Sequence, residues 1–441
     1  MVWFLCVLCG ETGFSDCNDK MRLRLDYGTD GLDVTLPEER VVVIQPAHRP
    51  ALGDPEAALV AAIQNPIGCV PLSRIARRGR KVAISICDIT RAQPRQEMLS
   101  AVLSQMPEIR AEDVTILIAT GTHRTNTPEE LESMVGREIL GRYRVINHDA
   151  RDDSSLERVG RTTTGAEIFL KREWLQADLR ITTGFVEPHF FAGFSGGPKM
   201  VAPGLAGLET VMTLHNAERI GHPNATWGIT HGNPIHDDVR EIAKMTGVHF
   251  AVDVTLNREQ RITAVFAGDL FEEHGRACEV AKREAMREVA APFDVVLTSN
   301  SGYPLDQNLY QAVKGISAAA RVVKPGGTII CAAECRDGLP NHGAYGRVLA
   351  SQPSPQCLLD MIKAPGYAMP DQWQVQIQAQ IQLAANVLVK TRGLSHSELE
   401  AAHFQPIDDV DSAVCDALRA AGPESTLCVL PQGPQTIPYL S

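Results

Sequence analysis

Apolar and polar positions along this chain follow two periods that take turns. Lys81 to Ile86 is a short apolar run that predicts a buried strand. A helix-spaced stretch follows from about Arg95 to Met106, then a strand at Val114 to Ala119. Thr127-Pro128-Glu129-Glu130 reads as a capping box, with threonine as N-cap, proline at N1 and glutamate at N3. Further strands are expected at Met21 to Tyr27, Tyr143 to Asn147, Leu179 to Thr183 and His249 to Thr255. Helices are expected at Pro234 to Met245, from near Leu208 through His215, and along Leu270 to Val289. Strands alternating with helices predict an α/β fold with mostly parallel sheets flanked by helices.

Ala290-Ala291-Pro292 looks like a boundary between two domains. Beyond it the alternation resumes: a strand at Asp294 to Thr298, a helix at Leu309 to Val322, a turn at Lys324 to Gly327 and a strand at Thr328 to Ala332. A last strand is expected at Leu427 to Leu430, and glutamine-rich Gln372 to Gln382 is compatible with a helix. The organisation read from this is an N-terminal catalytic domain over 21–290 and a C-terminal α/β domain over 291–441. The last residues of the second domain are expected to pack back on the first. Residues 1–20 carry three of the eleven cysteines, fit no element and read as a disordered extension.

Composition narrows the function. With 44% hydrophobic and 22% charged residues, the 441-residue chain has the balance of a soluble globular protein. Its net charge of −11 argues against a nucleic-acid partner. No apolar run approaches the roughly 18 residues that span a bilayer. The apolar stretch Met1 to Gly10 lacks the basic residues that open a secretory signal. A cytoplasmic protein with no membrane partner is therefore expected. The scattered cysteines suit reduced side chains, and Cys331 and Cys335 have no second pair to form a zinc knuckle.

Four polar clusters each follow a predicted strand: Asp88-Ile89-Thr90-Arg91, Gly121-Thr122-His123-Arg124, Pro188 to Lys199, and Ser299-Asn300-Ser301-Gly302. Ligands of open α/β sheets bind at the carboxyl ends of strands, so one site built from several loops would produce this pattern. The third cluster, Pro188-His189-Phe190-Phe191-Ala192-Gly193-Phe194-Ser195-Gly196-Gly197-Pro198-Lys199, is the richest. It fails the P-loop template, because Pro198 separates Gly197 from Lys199 and Met200 stands where Ser or Thr belongs. Main-chain N–H groups around Ser195-Gly196-Gly197 could still cradle one phosphate. His215 alone would read as a core histidine, and His222, His231 and His236 read as structural. Gln311 and Lys314 share a helix face, which suits an anion or simply solvent.

Together these residues resemble the nickel-dependent lactate racemase family. The resemblance is carried by Asp88-x-Thr90-Arg91, Gly121-Thr122-His123-Arg124, His189 through Lys199, His215, and Gln311-Ala312-Val313-Lys314-Gly315. Their order and spacing match from about Met21 to the end of the chain. The resemblance implies a two-domain enzyme with its active site in the interdomain cleft, acting on a 2-hydroxy acid. It implies a nickel-pincer nucleotide, attached through a thioamide to Lys199, with His215 as the nickel ligand. His123 and His189 would be the acid–base pair. Asp88, Thr90, Ser195, Gly196 and Gly197 would contact the cofactor. Arg91, Gln311, Lys314 and Tyr310 would hold the substrate, with Phe190, Phe191 and Tyr303 lining the pocket. Cofactor biosynthesis enzymes would be partners.

The chemistry implied is consistent with the residue types. The Cα–H of a 2-hydroxy acid is too weakly acidic for a histidine to remove. Taking the hydride instead leaves a planar 2-keto acid, and the acceptor must be a cofactor. Two histidines suit the two directions of the hydroxyl, each expected to titrate near neutrality. Nickel suits sulfur and imidazole donors. Three other readings stay open at this point: a pyridoxal-phosphate enzyme using Lys199, a zinc hydrolase built on His189 and His215, and a non-catalytic ligand-binding homologue.

Overall fold

The computed structural model describes residues 20–47, 49–340 and 343–440. Two six-stranded sheets organise it. The first runs Ile262–Gly268, Phe250–Leu256, Leu179–Phe185, Val82–Cys87, Val114–Ala119, Arg144–Asn147, and only the edge strand Ile262–Gly268 is antiparallel. The second is parallel throughout: Gln405–Pro406, Asn386–Lys390, Val323–Ala332, Phe293–Ser299, Leu427–Leu430, Val41–Val43. Every residue of Val82–Cys87 is buried, as a parallel strand covered by helices on both faces requires. Thr127 and Glu130 form the expected capping box, exchanging hydrogen bonds of 3.2 and 2.8 Å.

Four sequence expectations change. The helix from Leu270 stops at Ala285, and Met286–Val289 continues as a strand paired in parallel with Ile437–Leu440. Its apolar–polar–polar–apolar order serves a strand once a partner is available, and that partner lies at the far end of the chain. His215 caps the helix Leu208–Leu214 rather than continuing it. The expected turn at Lys324 to Gly327 lies inside the strand Val323–Ala332. Lys20, expected in the extension, begins the strand Lys20–Leu25, which pairs with Leu32–Pro37; residues 1–19 of that extension lie outside the described residues.

Residues 20–43, which sequence places with the first unit, pack instead on the second sheet. Leu25, Tyr27, Val34 and Leu36 share a buried cluster with Val295, Leu297 and Val414. Where Met286–Val289 and Ile437–Leu440 pair, the connection between units is tied to the chain end. Among the described residues no helix is long and apolar enough to cross a membrane, and eight cysteines are free.

Ile437 is fully buried in that pairing. Ile437→Ala should cost about 2–5 kcal/mol and Ile437→Val about 0.5–1.5 kcal/mol. Urea unfolding midpoints measure both, and equal midpoints for the two variants would refute a packed role.

Candidate active site

Three loops leave the carboxyl ends of neighbouring strands in the first sheet. The loop after Val82–Cys87 is held by Arg95, only 8% exposed. Its guanidinium donates to four main-chain carbonyls: Cys87 (2.8 Å), Arg91 (2.6 Å), Gln93 (3.2 Å) and Asp88. Gln93 joins in, its Oε1 accepting the Cys87 N–H at 2.7 Å. Sequence reading passed over Arg95 because an arginine opening a helix normally faces solvent.

This scaffold presents Asp88, buried to 2%, to His123 on the next loop. Their Oδ2–Nδ1 distance is 2.7 Å. Thr90 Oγ1 donates to Asp88 Oδ1 at 2.8 Å. Burial opposes ionisation of Asp88, but the His123 hydrogen bond and charge, Arg91 and Thr90 outweigh it and hold the carboxyl below its usual value. An ionised carboxylate only accepts, so Nδ1 of His123 carries a proton, and in the neutral ring Nε2 is the acceptor. Asp88, expected as a cofactor contact, thus orients a histidine.

His189 has the opposite arrangement. Its Nδ1 accepts the N–H groups of Ala192 (3.3 Å) and, more weakly, Phe191 (3.5 Å), which puts its proton on Nε2. Burial, then Lys199, Lys314 and Arg91, push it well below the usual histidine range. That departs from the expectation that both histidines titrate near neutrality. His215 donates Nδ1–H to the Val211 carbonyl at 2.8 Å. Burial lowers it to about 4, so it is neutral with an Nε2 lone pair. Phe191 packs edge-on against its ring at 5.1 Å and Trp373 tilts onto it at 5.0 Å.

The cationic side chains crowd this junction. Burial first, then Arg91, lowers Lys199 to about 7 and Lys314 to about 8, with Glu187 acting in the opposite sense on both. Glu187 stands exposed at the edge of this cluster, where Lys314, Arg91 and Lys199 favour its charged form. Gln311 and Lys314 lie one turn apart on the helix Leu309–Ala319, capped by Asn308, which accepts the Gln311 N–H at 3.0 Å. The Tyr310 hydroxyl accepts Trp373 Nε1–H at 3.1 Å and keeps its own proton to donate. Trp373 belongs to the glutamine-rich helix Gln372–Ala384, whose alternating pattern hid it. Glu187 was also missed, and its place just before Pro188-His189 was the available signal.

Several expected contacts are used elsewhere. Ser195 Oγ donates to the Phe185 carbonyl and accepts the Glu187 N–H, both at 2.9 Å. The Gly197 N–H donates to Asp253 Oδ2 at 2.8 Å. Gly196 (φ +70°) and Gly197 (φ +50°) turn the loop against protein: a Cβ would lie 2.8 Å from Val186 and 2.4 Å from His274, respectively. Ser195 and Gly197 thus shape the loop from the protein side. The fourth cluster is likewise internal, Ser299 Oγ donating to the Pro431 carbonyl at 2.7 Å and Asn300 Oδ1 accepting the Gly315 N–H at 2.8 Å. Phe190 and Phe191 are core residues at 6% and 5% exposure, and Tyr303 lies outside, beneath Arg336 at 4.3 Å.

Comparison with known proteins finds the chain similar to lactate racemases. The lactate racemase N-terminal domain family matches residues 27–228 and the lactate racemase C-terminal domain family residues 289–437. A lactate racemase of Thermoanaerobacterium thermosaccharolyticum is 34% identical over 94% of this chain and 98% of its own. One from Lactiplantibacillus plantarum is 36% identical over 84% and 88%. The structure of the Thermoanaerobacterium lactate racemase apoprotein superposes with a TM-score of 0.87 at 33% identity, covering 95% of this chain and all of that one. A Thermotoga maritima protein at 20% identity shares the fold, with a TM-score of 0.65.

Behind the loop, Asp253 and Glu273 lie together, 1% and 0% exposed. Burial raises Asp253 to about 7; burial and then Asp253 raise Glu273 well above the usual carboxyl value. The folded chain therefore keeps a proton that the unfolded chain releases above about pH 4.3, and stability falls as pH rises through that window. Glu273→Gln keeps the shape without the proton. Its melting temperature should fall less than the parent's between about pH 5 and about pH 9. An unchanged slope would show that no buried proton is held there.

Proposed function

The chain belongs to the lactate racemase family, and from that premise we propose that it inverts the hydroxyl-bearing carbon of a lactate-like 2-hydroxy acid. The family works with a cofactor, and we assign it here as a nickel-pincer nucleotide held covalently on Lys199 with His215 as the protein's nickel ligand. One observation carries this reading: a lysine displaced to about 7 and a neutral imidazole with its Nε2 unspent occupy one junction. An uncharged amine is the form that can bond covalently to a carbonyl-type carbon. A ligating histidine usually gives its other N–H to a carbonyl, as His215 does to Val211. Among the described residues no three His, Cys, Asp or Glu side chains form a metal site. One imidazole therefore suits a metal that brings its remaining donors with it.

The cofactor supplies the hydride acceptor that no side chain can be. The chain's residues bind the substrate and move its proton. Arg91 and Lys314 neutralise the carboxylate, with Gln311 and Tyr310 adding hydrogen-bond donors. His123 Nε2 takes the hydroxyl proton on one side, and a proton gained there completes an ion pair with Asp88. His189 serves the opposite side. The chain alone holds His189 neutral through burial and the neighbouring cations; the substrate carboxylate and a nucleotide phosphate would offset those cations and raise its proton affinity.

Two measurements test this. Protein co-produced with cofactor biosynthesis enzymes should carry an adduct on the Lys199 peptide by mass spectrometry and invert optically pure lactate or a related acid. An unmodified Lys199 in active, nickel-containing protein would sink the tether. Asp88→Asn frees the His123 tautomer and should lower kcat by roughly 10²–10⁴-fold with little change in KM. A change in KM alone would return Asp88 to a binding role.

A further inference from the structure

The glycines of the Lys199 loop are filled from behind by polar side chains that the proposed reaction does not use. A Cβ on Gly184 would stand 2.7 Å from Asp253 Oδ1, one on Gly196 3.1 Å from the same atom, and one on Gly197 2.4 Å from the His274 ring. In the space those missing side chains leave, Asp253 Oδ2 accepts the Gly197 N–H at 2.8 Å. His274 Nε2 donates to the Ser195 carbonyl at 2.9 Å. His236 Nδ1 donates to the Ala192 carbonyl at 3.1 Å, and its ring stacks on His274 at 5.8 Å. Both arms of the loop are thus held by their main chain, and Lys199 follows two residues after Gly197, its N–H donating to the Gly196 carbonyl at 3.1 Å.

The holding groups come from regular elements: Asp253 from the strand Phe250–Leu256, His236 from the helix Pro234–Thr246 and His274 from the helix Leu270–Ala285. They are 1–2% exposed, so none reaches a ligand. Burying such groups is costly unless they are hydrogen-bonded, and here each makes one bond to the loop's main chain. Rigid elements hold a reacting group more exactly than a loop can by itself.

We propose that Asp253 and His274 are positioning residues for Lys199, clamping Gly197 N–H and Ser195 C=O so that the lysine amine stands where the cofactor bond forms. This rests on the tether reading above. The clamp predicts that Lys199 reactivity depends on these two residues even before any cofactor is loaded.

The test uses the full-length chain, unloaded, with a small amine-reactive ester as probe. Labelling of Lys199 is followed by peptide mass spectrometry across pH. Asp253→Ala and His274→Ala should slow labelling near neutral pH by about tenfold or more, the effect of one pKa unit on the uncharged amine fraction, and move the pH at which Lys199 becomes reactive. Asp253→Asn and His274→Gln, which keep an acceptor and a donor, should restore both. Gly197→Ala, which drives a methyl into His274, should behave like the alanine variants, and Gly197→Ala with His274→Ala should stay with them, because the Ser195 carbonyl still lacks its donor. Alanine variants that keep the parent's labelling rate and pH profile, with only a lower melting temperature, would overturn the proposal. Should the alanine variants not fold, Gly197→Ala decides: labelling at the parent's rate and pH profile there would overturn the proposal. Loaded wild-type protein without a Lys199 adduct would refute the tether alone; a normal adduct with labelling indifferent to Asp253 and His274 would refute the clamp alone.

Discussion

The junction depends on one apolar core that runs through both units. Val186, Phe190, Phe191, Phe194 and Trp227 of the first unit share it with Val313, Ile316, Trp373 and Val375 of the second. Fully burying a large apolar side chain gains about 1.5–3 kcal/mol, so the aromatic residues between His189 and Ser195 anchor the loop to both units. Packing at interior density also fixes its path, because a displaced Phe191 would disturb His189 and His215, whose rings it touches at 4.5 and 5.1 Å.

The electrostatics follow from that packing. Partial burial makes the charged forms of isolated groups costly. Lys199, Lys314, His189 and His215 all move towards neutrality for this reason first, and repulsion among like charges adds to it. Asp88 is the exception: His123, Arg91 and Thr90 keep it ionised despite its burial. The two histidines of the proposed proton pair therefore start from unlike states, one oriented by a carboxylate and the other by main-chain N–H groups. A single fold gives two residues of one type different proton positions through the partner of Nδ1.

Much of the fold was legible because its signals are local. The apolar run Lys81 to Ile86 and the capping box at Thr127 depend on residues within a few positions of each other. The end of the helix at Ala285 was not legible, since Met286–Val289 becomes a strand only against Ile437–Leu440. The position of residues 20–43 was hidden similarly: the hairpin's apolar face would suit either sheet, and Val295, Leu297 and Val414 decide which. In the site, the family resemblance singled out His123, His189, Lys199 and His215. It did not reveal that Ser195 and Gly197 bind the protein itself, that Arg95 ties down a loop through carbonyls, or that Trp373 stands on His215.

The sequence by itself determined the alternation of strands and helices, the clusters at strand ends and the kinds of chemistry those clusters hold. Such properties come from backbone preference and side-chain type, which neighbours in sequence already express. Tertiary structure alone decided which ring nitrogen carries each proton, which lysines approach neutrality and which glycines face protein. Those properties depend on desolvation and on where the folded chain places hydrogen-bond partners, some as near as Val211 to His215 and others as far as Asp88 from His123, and residue type alone does not record them.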